Sequence, residues 1–137
     1  MSAENKAVFQ KFVDSMNAKD ADAIGQLMSA NFIDHDLPPG QEPGVEGMLA
    51  MMRGFFAGFP DLKITINQLI AEGDLVVAAM TTEGTQTGEF MGVPASGKKI
   101  SITEMHMVRV VDGKAVEHWG VADAMGMMQQ LGVTPQG

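Results

Sequence analysis

The sequence predicts an α+β domain: N-terminal helices packed in a curved antiparallel sheet that wraps them into a cone-shaped barrel with a mouth. Three observations predict it. Apolar residues recur at helical spacing before residue 60, alternation replaces that spacing from Asp61 onward, and glycine-bearing turns separate the alternating runs. In AENKAVFQKFVDSMNAKD, residues Val8, Phe9, Phe12, Val13 and Met16 form one helical stripe. Asp20 offers a cap to a second, short helix across ADAIGQLMSANF, ending near Asn31. DHDLPPGQEPG carries three prolines and two glycines, so it is a loop, and it contains His35 and Asp36. VEGMLAMMRGFFAGF resumes helical spacing through Val45, Met48, Leu49, Met52, Phe55, Phe56 and Phe59, with Gly58 and Pro60 as stop signals. LKITINQLIAE then alternates through Leu62, Ile64 and Ile66, Gly73 and Asp74 turn the chain, and LVVAAMTTEGTQTGEF follows as a second strand. MGVPASGKK is a turn-rich connection to KKISITEMHMVRVVDGKAVEHWGVAD, which reads as a hairpin closed by Asp112-Gly113. ADAMGMMQQLG forms a short terminal helix or a coil over an opening.

Composition narrows the function classes. The 137 residues make one domain, 1–137, and 45% hydrophobic with 19% charged residues is a globular balance. A formal charge of -8, with Arg53 and Arg109 the only arginines, excludes a polyanionic partner such as nucleic acid; a neutral or apolar small molecule fits better. The absence of cysteine excludes disulfides, thiolate catalysis and Cys-based zinc sites. Charges at Glu4, Lys6 and Lys11 interrupt any signal peptide, and no apolar run of about 18 residues exists, so a cytoplasmic protein without a membrane partner is expected. His35, His106 and His118 lack metal-ligand spacing, and GEFMGVPASGKK lacks the strand, loop and helix order of a nucleotide site, so no metal or cofactor is expected. Thirteen methionines, flexible and polarizable, suit either an irregular core or a pocket for apolar ligands.

The hairpin holds the chemistry. With Val111 opposite Lys114, a constant register sets His106 opposite Trp119, Glu104 opposite Val121 and Ile102 opposite Asp123. Glu104, His106, Glu117, Trp119 and Asp123 then share one face, while Met105, Met107, Arg109 and His118 take the other, unless a bulge shifts the register by one. An acid and an imidazole on an apolar wall are the parts of proton-transfer chemistry. Asp123 serves as general acid/base if burial raises it toward neutrality, and His106 holds it or donates to an oxyanion. Structural readings stand beside these: Asp123 also stands where a cap for the last helix belongs, His35-Asp36 also suits a turn, and Glu104 and Glu117 also suit solvent or a subunit contact.

DHD, FPDL, AEGDLVVAAMTTEGTQTGEFMGVPASGKK, VRVVDGK, VEHWGVAD and QLG together, in order and spacing from Asn31 to Gly132, resemble the SnoaL-like polyketide cyclase family. The resemblance implies a cone-shaped barrel of the nuclear transport factor 2-like superfamily, often dimeric through the outer face of the sheet. It implies intramolecular aldol condensation without metal or cofactor, with Asp123 and His106 at the catalytic positions, Glu104 as the polar neighbour, and His35, Asp36 and Trp119 lining a pocket for a small apolar or aromatic carbonyl compound. Thr85-Gln86 stands where the family often has a histidine after Gly-Thr, and Ser96 replaces the usual threonine before Gly-Lys. Double-bond isomerisation of an apolar carbonyl compound fits the same residues, the resemblance also includes relatives that hydroxylate polyketides, and a non-catalytic ligand-binding protein is the alternative on the residues alone.

Overall fold

The computed structural model describes residues 2–36, 44–90 and 92–133. Helix α1 (Ser2–Asn17) is followed by α2 (Ala21–Gln26), strand β1 (Met28–Asp34), α3 (Val45–Gly58), β2 (Lys63–Glu72), β3 (Leu75–Thr85), β4 (Lys99–Val111), β5 (Lys114–Ala122) and α4 (Ala124–Gln130). Most of the Pro-rich loop, 37–43, lies outside the described residues. The helices form where the apolar stripes put them. Val8, Phe9, Phe12 and Val13 bury one face of α1, and Met48, Leu49 and Met52 bury one face of α3, each such side chain worth about 1.5–3 kcal/mol of transfer free energy. Asp20 caps α2 as expected, its side chain accepting from the Ala23 N–H at 3.1 Å.

The five strands lie in the order β1-β5-β4-β3-β2, an α+β arrangement with an open sheet whose edges are β1 and β2. The sheet is mixed: β1 runs parallel to β5, whereas the other three pairings are antiparallel. Here the second helix departs from its predicted end near Asn31. It stops at Gln26, and Met28–Asp34 joins the free edge of β5. Nothing in MSANFID strongly favours helix, so an open strand edge decides its conformation. Burial then alternates, with Phe32 and Asp34 inside and Ile33 exposed.

The turn that closes the long hairpin is as predicted: Asp112 and Gly113 both take positive φ, 52° and 76°, the geometry of a two-residue I′ turn. The register is not. Val111↔Lys114 and Val110↔Ala115 pair as expected, but Val116 is then an extra residue, and from Arg109↔Glu117 onward the sum moves by one. His106 therefore faces Gly120 and Glu104 faces Ala122, instead of Trp119 and Val121. The 86–97 connection is tied by Gln86, which is wholly buried; its amide donates to Val93 O at 3.0 Å and its carbonyl accepts from the Ser96 hydroxyl at 2.8 Å.

Candidate active site

The bulge at Val116 decides which side chains face the helices. On the inner face it places His118, Gly120 and Ala122 beside Glu104, His106 and Val108 of β4 and Met80 and Thr82 of β3. Parallel pairing puts Asp34 next to His118. The result is a continuous line of polar groups across four strands. Asp34 Oδ1 lies 2.8 Å from His118 Nδ1, His118 Nε2 lies 2.7 Å from His106 Nδ1, and His106 Nε2 lies 3.1 Å from Glu104 Oε1. The Thr82 hydroxyl donates to Glu104 Oε2. With ring centroids 5.0 Å apart, planes 18° apart and the facing nitrogens at 2.7 Å, the two imidazoles meet edge to edge, the arrangement of an in-line hydrogen bond.

The Asp34–His118 end of the line is buried, His118 being 5% exposed and Asp34 4%, whereas His106 and Glu104 are half-buried where they meet the cavity. Burial pushes Asp34 up, but the hydrogen bond and charge of His118 and the Asp36 N–H, which donates to Oδ1 at 2.9 Å, leave it below the usual carboxylate value. Burial likewise pushes Glu104 up, and the hydrogen bonds from His106 and Thr82 overcome it, so this acid also ends below its usual value. Asp36 goes the other way. Burial raises it, His118 offsets part of the rise, and the charges of Asp34 and Glu104 add to it.

These groups meet a cavity of about 380 Å³ between the inner face of the sheet and the helices. Its wall is apolar, with Phe9, Phe55, Leu62, Phe90 and six methionines (Met16, Met48, Met51, Met52, Met80, Met127); Asp36, Thr82, Glu104, His106 and His118 supply the polarity. Among the described residues no lysine or arginine lines it. Gly120 is fixed by contact: a Cβ there would lie 2.5 Å from His106 Nδ1 and 2.8 Å from Asp36 Oδ2, so the carboxylate and the ring crowd the same bare backbone. The arrangement is an apolar chamber holding one acid with raised affinity for a proton and one hydrogen-bonded pair of imidazoles between two ionised acids, the division of labour that acid–base catalysis uses.

The model of the family described as SnoaL-like polyketide cyclase matches residues 6–131. The chain belongs to that family. It is 37% identical over 68 residues to the aklanonic acid methyl ester cyclase DnrD of Streptomyces peucetius, a match covering 47% of this chain and 47% of DnrD, so the aligned stretch spans about half the length of that curated relative. TsrD from Streptomyces laurentii superposes with a TM-score of 0.88 at 31% identity, covering 96% of this chain and 97% of TsrD. AclR, a proposed hydroxylase from Streptomyces galilaeus, superposes at 0.87 with 32% identity, covering 99% and 89% of the two chains.

Within this SnoaL-like chain the residues singled out from sequence divide into two groups. His106, Glu104 and Asp36 line the cavity. Trp119 and His35 do not: the shifted register turns Trp119 to the outer face, where it stacks on His35 (centroids 4.8 Å, planes 14° apart), with Arg109 6.0 Å from its ring. His35 is held there by Glu117 at 2.9 Å. Asp123 lies beyond the end of β5, is exposed, and caps α4, its Oδ1 accepting from the Gly126 N–H at 2.9 Å. It is therefore not on the face that sequence alternation gave it, because the bulge and the helix start intervene.

Sequence reasoning missed Asp34 and His118. His118 had a readable signal, and Asp34 had one only once 28–34 is known to be a strand. The adjacent apolar pair Ala115-Val116 breaks alternation where the bulge occurs, and if 28–34 is a strand, the parity of Phe32 sends Asp34 inward and His35 outward.

Proposed function

We propose that the protein is a cofactor-independent acid–base enzyme that closes a ring in a small apolar carbonyl compound of the polyketide type by intramolecular aldol condensation. The observation that carries this reading is the meeting, at an otherwise apolar cavity, of a carboxyl at the cavity's solvent-exposed rim whose proton affinity partial burial and neighbouring acids raise (Asp36) with an imidazole pair clamped between Asp34 and Glu104. Among the described residues no side-chain hydrogen bond engages the Asp36 carboxyl, which lines the cavity. In this reading Asp36, rather than Asp123, removes the proton from the carbon α to a carbonyl, because Asp36 faces the cavity and Asp123 serves a helix end. The enolate attacks a second carbonyl of the same molecule, and His106, exchanging its hydrogen bond to Glu104 for one to the substrate, steadies the oxyanion that forms. The alkoxide is then protonated, so the product is an isomer of the substrate. The apolar wall holds the two reacting carbons together and keeps water from quenching the enolate.

The charge of the cavity narrows the substrate. Asp36 and Glu104 face it with no lysine or arginine among the described lining residues, so a ligand carrying a free carboxylate meets like charge, whereas its ester does not. DnrD is named for action on such an ester. The test is incubation with aklanonic acid methyl ester and, separately, the free acid, followed by chromatography and mass spectrometry. A new product of unchanged mass from the ester, at a higher rate than from the acid, is expected. A product heavier by one oxygen, dependent on air, would replace this reading with hydroxylation. Ligand binding without turnover would replace it with a binding protein.

A further inference from the structure

Asp34 and His118 are buried ionisable groups to which the ring-closing scheme gives no direct contact with the reacting atoms. We infer that the chain Asp34, His118, His106 and Glu104 holds one proton more than two neutral imidazoles between two ionised carboxylates would hold, and that Asp34 and His118 are positioning residues that keep this proton on the imidazole pair beside the cavity. The catalytic meaning of this inference rests on the function proposed above; the proton count itself does not.

The count follows from the geometry. Three hydrogen bonds join the four residues, and each needs one proton. Ionised carboxylates supply none, and two neutral imidazoles supply two. If His118 donates from Nδ1 to Asp34, its Nε2 must accept from His106 Nδ1, and His106 Nε2 then has no proton for Glu104 unless that ring is an imidazolium. Reversing the middle bond only moves the charge to His118. The remaining donors at the ends, the Asp36 N–H on Asp34 Oδ1 and the Thr82 hydroxyl on Glu104 Oε2, both point at carboxylate oxygens and favour ionised acids there. The titratable groups facing the pair are Asp34 from β1, Asp36 just beyond that strand, and Glu104 from β4, all acidic, and the described cavity wall offers no competing cation.

The proton ledger of ring closure then balances. Asp36 takes the proton from carbon as the C–C bond forms, the alkoxide takes the His106 Nε2 proton that otherwise bonds Glu104, and the Asp36 proton then restores the count on the pair. Nothing is gained or lost in a cycle, as an isomerisation requires.

The experiment is nitrogen and carboxyl-carbon NMR on the full chain near neutral pH without substrate, with His35→Gln to remove the outer-face histidine signals. Three protons shared among the four ring nitrogens and the two carboxyls are expected. Glu104→Gln should lower the count to two, since the amide can donate to His106 Nε2 while its oxygen still accepts from Thr82. A wild-type count of two, or three protons retained in Glu104→Gln, would overturn the inference. For the positioning role, Asp34→Asn should lower both the count and kcat, the latter about tenfold or more, with KM within about twofold; unchanged kcat with the proton retained would overturn it. A count of two in a protein that closes rings refutes only the extra proton. A count of three in a protein that closes none refutes only the proposed function.

Discussion

Gly120→Ala is the sharpest perturbation of this site, because one methyl group enters space that two functional groups already occupy. The Cβ would stand 2.5 Å from His106 Nδ1, 2.8 Å from His106 Cε1 and 2.8 Å from Asp36 Oδ2, all well inside contact distance. Asp36 is near the surface and swings away easily. His106 is not free to do so, since its two ring nitrogens bond His118 at 2.7 Å and Glu104 at 3.1 Å. Moving the ring breaks at least one of those bonds, a charge-assisted bond worth about 1.5–3 kcal/mol, and adds an overpacking term of about 1–3 kcal/mol, so a stability loss of roughly 2.5–6 kcal/mol is expected. A misplacement of about 1 Å in a catalytic group lowers turnover about a hundredfold. Urea denaturation and a ring-closure assay read the two effects. A double-mutant cycle separates them from a general backbone effect: in a His106→Ala background the room exists, and Gly120→Ala should then be nearly silent. If Gly120→Ala kept wild-type stability and turnover, or cost as much with His106 as without it, the crowding argument would be wrong.

Three further outcomes are expected. Asp36→Asn should retain the fold and lower kcat at least about a hundredfold, the usual size of a general-base contribution; in the wild type, turnover should rise with pH through the Asp36 titration, which burial sets above 3.8. Asp123→Asn should keep both the α4 cap and turnover within a few-fold, while Asp123→Ala should lower stability by about 1 kcal/mol and still leave turnover in place; a hundredfold loss in Asp123→Asn would return this residue to the mechanism. Acid should destabilise the fold through Glu104 and Asp34. Their folded values lie below the unfolded 4.5 and 3.8, so their contribution is present above those values and lost as pH falls through the lower folded ones; Asp36, shifted oppositely, offsets part of the loss. Urea midpoints measured from about pH 6 down to about pH 3 should fall, and less steeply in Glu104→Gln.

The helices and the antiparallel strands were legible because each shows its own period: the α1 and α3 stripes bury as their spacing demands, and β3 alternates Val76, Ala78, Met80 and Thr82 inward. Asp112-Gly113 located the turn, and with it half the site, since Glu104 and His106 keep their parity whatever β5 does. What failed lies after the single extra residue at Val116. A period of two makes every side chain beyond a bulge change faces, so Trp119 was placed inside and His118 outside for one common reason, and Asp123 was misplaced by the same bulge together with the start of α4 just past the strand's end. β1 was illegible for a different one: its strand state comes from a partner over 80 residues away in the chain, as Asp34↔His118 shows, and local composition carries no record of that pairing. The acid of the proposed chemistry, Asp36, was found as a pocket residue, but its role depended on seeing which carboxyl faces the cavity.

In the proposed chemistry this cavity moves a carbon-bound proton. The most direct test is to incubate the protein with aklanonic acid methyl ester in deuterium oxide and follow deuterium at the carbon α to the reacting carbonyl, alongside ring closure. Enzyme-dependent exchange or closure is expected in the wild type and neither in Asp36→Asn. Exchange and closure at the uncatalysed rate in the wild type, or undiminished in Asp36→Asn, would contradict that chemistry.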